Sequence, residues 1–350
     1  MLGNWFTAAA WPLNTEVQQQ SEARQRLLTK PPGSLGRLET LAIRLSGMQG
    51  QLQPRLNNIL IVVFAADHGV AEESVSVFPQ IVTTEMVRNF ARGGAAISVL
   101  ARRLGAELQV VDMGTAHPPG DLPGVLNQRI AAGTANFMCK PAMSNEQCHM
   151  ALKRGKQAVD RALDTGVDLF IGGEMGIANT TAAAAVACAL LGRPAVELAG
   201  PGTGLNHEGI SHKVKLIDTA IAQYADKLGS PLAILQTLGG FEIAALSGAF
   251  IAAAQAGIPF LVDGFIASVA MLVAARLNPG VLDWGFYAHR SAEPGHDRVL
   301  EALNAEPLLD LGMRLGEGSG AAVAAAILRD ACALHNQMAT FSEAGVSTSE

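Results

Sequence analysis

The sequence predicts an α/β fold, a mostly parallel sheet flanked by helices, and three observations predict it. From about residue 59 onward, short apolar runs alternate with longer stretches of helical period, the rhythm of successive βαβ units. Apolar residues make up 49% of the 350, yet aromatics only 5%, so Ala, Val, Leu and Ile carry the core. That mixture suits small-faced helices packed on a sheet buried on both sides. Finally, many of the 37 glycines fall directly after the apolar runs, where strand-to-helix turns need them.

The elements follow in order. Glu16 to Leu28 and Arg37 to Met48 read as two helices joined by the break Lys30-Pro31-Pro32-Gly33-Ser34. In the second, Leu38, Leu41, Ala42 and Leu45 keep the i, i+3, i+4, i+7 spacing of one apolar face. The predicted strands are Ile59–Ala65, Leu108–Asp112, Asp168–Ile171 and Pro259–Val262, with weaker runs at Ala195–Leu198 and Trp284–Tyr287. Helical stretches between them are Thr84–Leu104, Asn145–Leu163, Asn179–Leu190 and Phe241–Ala256. Right-handed crossovers put the loops after these strands along the carboxyl edge of the sheet. Arg298–Leu303, Pro307–Arg314 and Ser319–Met338 read as helices, and the final EAGVSTSE as a frayed tail. Residues 1–55 and 301–350 are therefore expected to form a small helical domain from both chain ends, with 56–300 as a large α/β domain.

Composition narrows the function. A net charge of −6 and the lack of any Lys/Arg stripe argue against a nucleic-acid partner. Four cysteines without C-x-x-C spacing, and an N-terminus without a basic start and long apolar run, fit a reduced cytoplasm. Ile243 to Val262 is twenty residues without a charge, the nominal length of a membrane span. Gln255 and the Gly257-Ile258-Pro259 break divide it into a helix and a short strand, so a buried core segment is expected and no membrane association.

Five glycine-rich loops are candidates for chemistry: Asp67-His68-Gly69, Gly172 to Gly176, Gly200 to Gly204, Asp263-Gly264 and Gly316 to Gly320. A single such loop is an ordinary backbone requirement. Five at one sheet edge offer backbone N–H groups and helix N-termini that can cradle a phosphate. Gly200-Pro-Gly-Thr-Gly204 has the spacing G-x-G-x-G, not the dinucleotide-binding G-x-G-x-x-G, and no Walker sequence is present. His207 and His212 stand five apart, roughly 140° from one another on a helix, which argues against a metal site. Two carboxylates, Glu174 and Glu317, sit among glycines with no bulky neighbour. Each is open to a solvated role or to a role against a ligand. A carboxylate just ahead of a helix start tends to stay ionised, and an ionised glutamate in an apolar pocket is a competent general base.

Five segments carry a family resemblance: Lys30-Pro-Pro-Gly-Ser-Leu-Gly-Arg-Leu-Glu39, Ala66-Asp-His-Gly-Val70, Gly173-Glu-Met-Gly-Ile-Ala-Asn-Thr-Thr181, Leu261-Val-Asp-Gly-Phe265 and Arg314-Leu-Gly-Glu-Gly-Ser-Gly-Ala321. In this order, over residues 15 to 340, the chain resembles the nicotinate-nucleotide–dimethylbenzimidazole phosphoribosyltransferases of cobalamin assembly. The resemblance implies a homodimer with a Rossmann-like large domain and a small helical one. It implies that nicotinate mononucleotide and 5,6-dimethylbenzimidazole become α-ribazole 5′-phosphate and nicotinate. It further implies Glu317 as general base with Glu174 beside it. Gly176, Asn179, Thr180, Gly202, Thr203, Gly204 and Lys213 would hold the phosphate. Gly264 and Ser291 would line the ribose, and Gly316 and Gly318 would belong to the same phosphate and ribose site. No metal and no cofactor are expected. A flat bicyclic base needs apolar walls, for which Phe78, Met86, Met175 and Leu315 are the candidates.

Two rival readings are weighed. A phosphoribosyl-pyrophosphate enzyme would show a strand ending in paired acids, whereas Val167-Asp-Leu-Phe-Ile171 runs into a loop with the single acid Glu174. A non-catalytic nucleotide-binding protein would keep the phosphate loops but have no use for a glutamate at 317.

Overall fold

A computed structural model describes residues 4–347. Asn14 opens α1 (Thr15–Leu27) by accepting the Val17 N–H, and α2 (Arg37–Gln49) stops at Gly50 in the left-handed conformation. All eight residues of β1 (Ile59–Ala66) are buried, as expected for the centre of a parallel sheet. The predicted single helix from Thr84 is two, α3 (Ile81–Arg92) and α4 (Ala96–Leu104). Gly93 at φ 81° ends the first, donating to Asn89 and Phe90, the left-handed helix stop that glycine permits. Next come β2 (Glu107–Gly114) and β3 (Val125–Asn127), the latter too short to stand out as a run. A capping box between Ser144 and Gln147 starts α5 (Asn145–Asp164). Then follow β4 (Leu169–Met175), α6 (Asn179–Leu191), α7 (His207–Gln223), α8 (Pro231–Leu238) and α9 (Phe241–Ala256). The chain continues through β5 (Phe260–Val262), α10 (Phe265–Leu277), β6 (Gly285–Tyr287), α11 (His296–Ala302), α12 (Ser319–Gln337) and α13 (Phe341–Ala344).

Three expectations are corrected. Ala195–Leu198 is no strand: Ala195–Glu197 is a 3₁₀ turn after Pro194, with Ala195 and Leu198 buried and Val196 turned out. That is the spacing of a turn and not the alternation of a strand. Pro307–Arg314 is no helix. Leu308 and Leu309 donate to Tyr287 and Ala288, and Arg290 and Ala292 donate back to Leu309 and Met313. The open edge of β6 offers backbone partners that an isolated short helix could not match. The tail is ordered at least through Ala344, because α13 has its own capping box from Thr340 and Glu343; its last residues, 348–350, lie outside the described ones.

The six strands are all parallel, in the order β3-β2-β1-β4-β5-β6, the Rossmann arrangement. Its crevice opens between the carboxyl ends of β1 and β4, where the strand order reverses. Successive glycines on β4 let both faces be approached closely, since neighbouring strand residues point to opposite sides. A side chain on Gly172 would strike Leu246 of α9, and one on Gly173 would strike the Glu317 carbonyl ahead of α12. The chain ends meet: Leu28 bridges Thr340, and the Arg24 guanidinium donates to the carbonyls of His335 and Asn336. The uncharged run from Ile243 divides into α9 and β5. Among the described residues no helix is long and apolar enough to cross a membrane.

Candidate active site

The carboxyl ends of β1, β4, β5 and β6 bring polar residues from distant parts of the chain to one place. After β1, Asp67 is fully buried and accepts from Thr83 Oγ1 at 2.6 Å and from the Ala116 N–H at 2.7 Å. His68 Nε2 meets Glu242 Oε1 at 2.8 Å. Burial works to lower the His68 pKa, but the Glu242 charge and hydrogen bond outweigh it and hold the imidazole above its ordinary value.

Glu174, the penultimate residue of β4, has its carboxyl over the Cα of Gly316, where any side chain would collide with it. It accepts from the Asn179 side-chain amide at the start of α6. Burial first, and then the charges of Glu242, Asp263 and Glu317, push its pKa up to about 8. Asp263, after β5, accepts the Ala321 N–H at 2.8 Å in the first turn of α12. Burial raises its pKa as well, with nearby His289 acting against the rise.

Gly316, Glu317 and Gly318 have φ of 87°, 65° and 82°, a run of three left-handed residues. Glycine adopts this freely; a glutamate there costs about 1–3 kcal/mol and persists only where its surroundings fix it. The Glu317 N–H donates to the Glu174 carbonyl at 3.3 Å, and its Oε2 accepts the Ile97 N–H at 3.3 Å in the first turn of α4. Burial raises the Glu317 pKa, partly offset by that Ile97 bond. A helix N-terminus favours a negative charge beside it.

At the other end of the site, Gly202 has φ 54° and its Cα lies over Thr180. Lys213 is almost completely buried, and Nζ donates to Thr180 Oγ1 at 3.2 Å and to the Gly200 carbonyl at 3.1 Å. Burial lowers its pKa to about 8, against the pull of Glu293. Arg314 holds the Gly202 carbonyl at 2.9 Å. Ser76 and Thr203 join hydroxyls at 3.1 Å. Backbone amides, a lysine and an arginine together make an anion-binding end.

Between these two ends runs a cleft of about 300 Å³. Of the residues singled out from sequence, it is lined by Glu174, Met175, Gly176, Asn179, Thr180, Gly202, Thr203, Gly264, Ser291, Leu315, Gly316 and Phe78. Glu317 and Gly318 follow directly on Gly316, with the Glu317 side chain buried. Lys213 stands behind Thr180. Gly204 is at the loop's open side, with nothing near its Cα. Met86 does not line the cleft; it sits on α3, its sulfur facing the Asn89 amide. Phe78 and Leu315 are half-exposed at the rim. The structure adds Asp263, His289, Glu293 and Arg314 to the lining. Asp263 and Arg314 carried a signal, standing inside segments that bore the resemblance. His289 and Glu293 carried none, because the turn after β6 has no motif of its own.

A family model described as phosphoribosyltransferase matches residues 11–346. The protein named nicotinate-nucleotide–dimethylbenzimidazole phosphoribosyltransferase of Pseudomonas fluorescens (strain SBW25) is 57% identical over 99% of both chains. The protein of the same name from Ectopseudomonas mendocina (strain ymp) is 58% identical over 98% of both. Among solved structures, CobT from Thermus thermophilus superposes with a TM-score of 0.92 at 44% identity, over 95% of this chain and all of that one.

Proposed function

The chain belongs to the nicotinate-nucleotide–dimethylbenzimidazole phosphoribosyltransferase family of pentosyl-transferring enzymes, and on that premise we propose that it transfers phosphoribose from nicotinate mononucleotide to 5,6-dimethylbenzimidazole, with Glu317 as general base. The products are α-ribazole 5′-phosphate and nicotinate, for cobalamin synthesis. The observation that carries this reading is the pair of carboxyls at the Gly316 seam. Glu174 is pushed toward its neutral form, while Glu317 holds a backbone donor at a helix N-terminus. Burial raises the pKa of both, but at Glu317 the Ile97 N–H works against the rise, while at Glu174 neighbouring carboxylates add to it, so the two carboxyls are held unequally and can take different roles.

The chemistry asks for little else. The bond to be broken joins C1′ to a positively charged pyridinium nitrogen, so that ring nitrogen leaves neutral and needs no general acid. One benzimidazole nitrogen attacks C1′ from the opposite face and inverts β to α. Glu317 takes the proton from the other nitrogen, help worth about a hundred- to ten-thousand-fold. Holding the two rings on opposite sides of the ribose contributes the larger share. Thr180, Gly202, Thr203 and Lys213 take the phosphate, and Arg314 braces their loop. Phe78, Met175 and Leu315 offer the apolar wall for the incoming base. Action as a homodimer in the cytoplasm, and a helical unit from residues 1–55 and 301–350, belong to the same reading and rest on the family likeness; the meeting of the chain ends at Leu28 and Thr340 supports the last.

The test is an assay of purified protein with both substrates in EDTA, separating products by chromatography. Nicotinate and an α-linked ribotide are expected in equal amounts. No product with this base or a panel of azoles and purines, from a protein that still binds the nucleotide, would overturn the reaction.

A further inference from the structure

Glu293 is a carboxylate that the reaction above leaves unused. It lines the cleft and is 6% exposed, and neither carboxyl oxygen has a hydrogen-bond partner. An ionised carboxylate can accept at about four positions, and one buried without bonds is costly unless something completes it. The protein keeps cations close without committing their donors to it. Lys213 donates to Thr180 and Gly200, and Arg314 to the Gly202 carbonyl. Burial raises the Glu293 pKa, with Lys213, Arg314 and the nearby Gly202 N–H acting against the rise.

The missing partner must therefore be a donor, and nicotinate mononucleotide has few. Its phosphate is chiefly an acceptor and its carboxylate entirely one, which leaves the two ribose hydroxyls. The position agrees, since Glu293 lies beside the Gly200–Gly202 loop and donates its own N–H to Ser291 Oγ at 3.3 Å. We propose that Glu293 binds the ribose, its carboxylate accepting from the 2′- and 3′-hydroxyls of the nucleotide, so that it selects a ribonucleotide and fixes C1′ relative to the phosphate. This rests on the nucleotide reading of the same cleft.

The experiment compares wild type and Glu293→Gln with nicotinate mononucleotide and its 2′-deoxy and 3′-deoxy analogues, by initial rates and by calorimetric binding. A hydrogen bond to a charged group is worth about 1.5–3 kcal/mol, so Gln is expected to raise KM about ten- to a hundredfold. In the variant, loss of a hydroxyl should cost less than about threefold, against tenfold or more in wild type, since coupled groups do not add. An unchanged or lowered KM, or full hydroxyl discrimination kept in the variant, would overturn the proposal and leave Glu293 as a counter-charge to Lys213 and Arg314. Should the Gln variant fail to fold, Glu293→Asp carries the test: KM must rise with the preference for both hydroxyls retained, and an unchanged KM overturns it. Wild-type protein that neither binds nor turns over the ribonucleotide would bring down the nucleotide reading itself, a result separate from any effect of the variant.

Discussion

Glu317 and Glu174 share one backbone seam, and burial raises the pKa of both, but the Ile97 N–H opposes the rise at Glu317 while neighbouring carboxylates add to it at Glu174, and each setting has a measurable result. With the Ile97 N–H on its carboxylate, Glu317 is the proposed proton acceptor. Glu317→Gln should lower kcat by about a hundred- to ten-thousand-fold while calorimetry finds both substrates binding nearly as before; full turnover would remove Glu317 from the base role. For Glu174 the folded pKa of about 8 lies above the ordinary 4.5. Between those values the native state binds more protons than the unfolded one, so stability contributed by this group falls as pH rises. Glu174→Gln mimics the neutral form. Its Tm relative to wild type should therefore climb from pH 5 to pH 8 and then level, whereas a flat difference would place the proton elsewhere. Both glutamates were legible as acids among glycines. Asp263 stood within a segment of the resemblance but had no role assigned to it, because the contact that gives it meaning, to Ala321, lies 58 residues away.

Among the elements, the closest partnership is between α5 and α9, and it depends on two glycines. A side chain on Gly155 would strike the Ala245 carbonyl, and one on Gly248 the Leu152 carbonyl. Backbone atoms cannot rotate aside, so Gly155→Ala or Gly248→Ala should destabilise by about 1–3 kcal/mol or more, seen as an earlier urea midpoint. A variant as stable as wild type would mean that the helices can slide apart. The consequence reaches the cleft, because α9 begins at Phe241 and sets Glu242 against His68. Strands and long helices were legible from periodicity because their apolar faces repeat within the element. Pro307–Arg314 was not, since its leucines fit a helical face while its backbone partners came from the segment after β6. A competing edge is invisible to any local pattern. The turn at Ala195–Glu197 misled for a related reason: four apolar-leaning residues after a proline suit either a strand or a tight turn, and burial decides.

For the whole molecule, sedimentation should give twice the chain mass at micromolar concentration; a monomer that is fully active would refute the dimer reading. The parallel direction of the strands followed from the alternation of runs and helices, and so did the edge on which the loops lie. The strand neighbours themselves did not, because register between β1, β4 and β5 depends on residues about ninety or more positions apart. The left-handed run at Gly316–Gly318 carries a further implication. Its glutamate lies against the ends of strands made long before it, so a nascent chain carries Thr180, Gly202 and Lys213 of the cleft well before it receives Arg314 and Glu317. At about 5–20 residues per second of synthesis, several seconds separate Gly202 from Glu317. Through nearly all of that interval the chain holds Gly202 and then Lys213, but neither Arg314 nor Glu317.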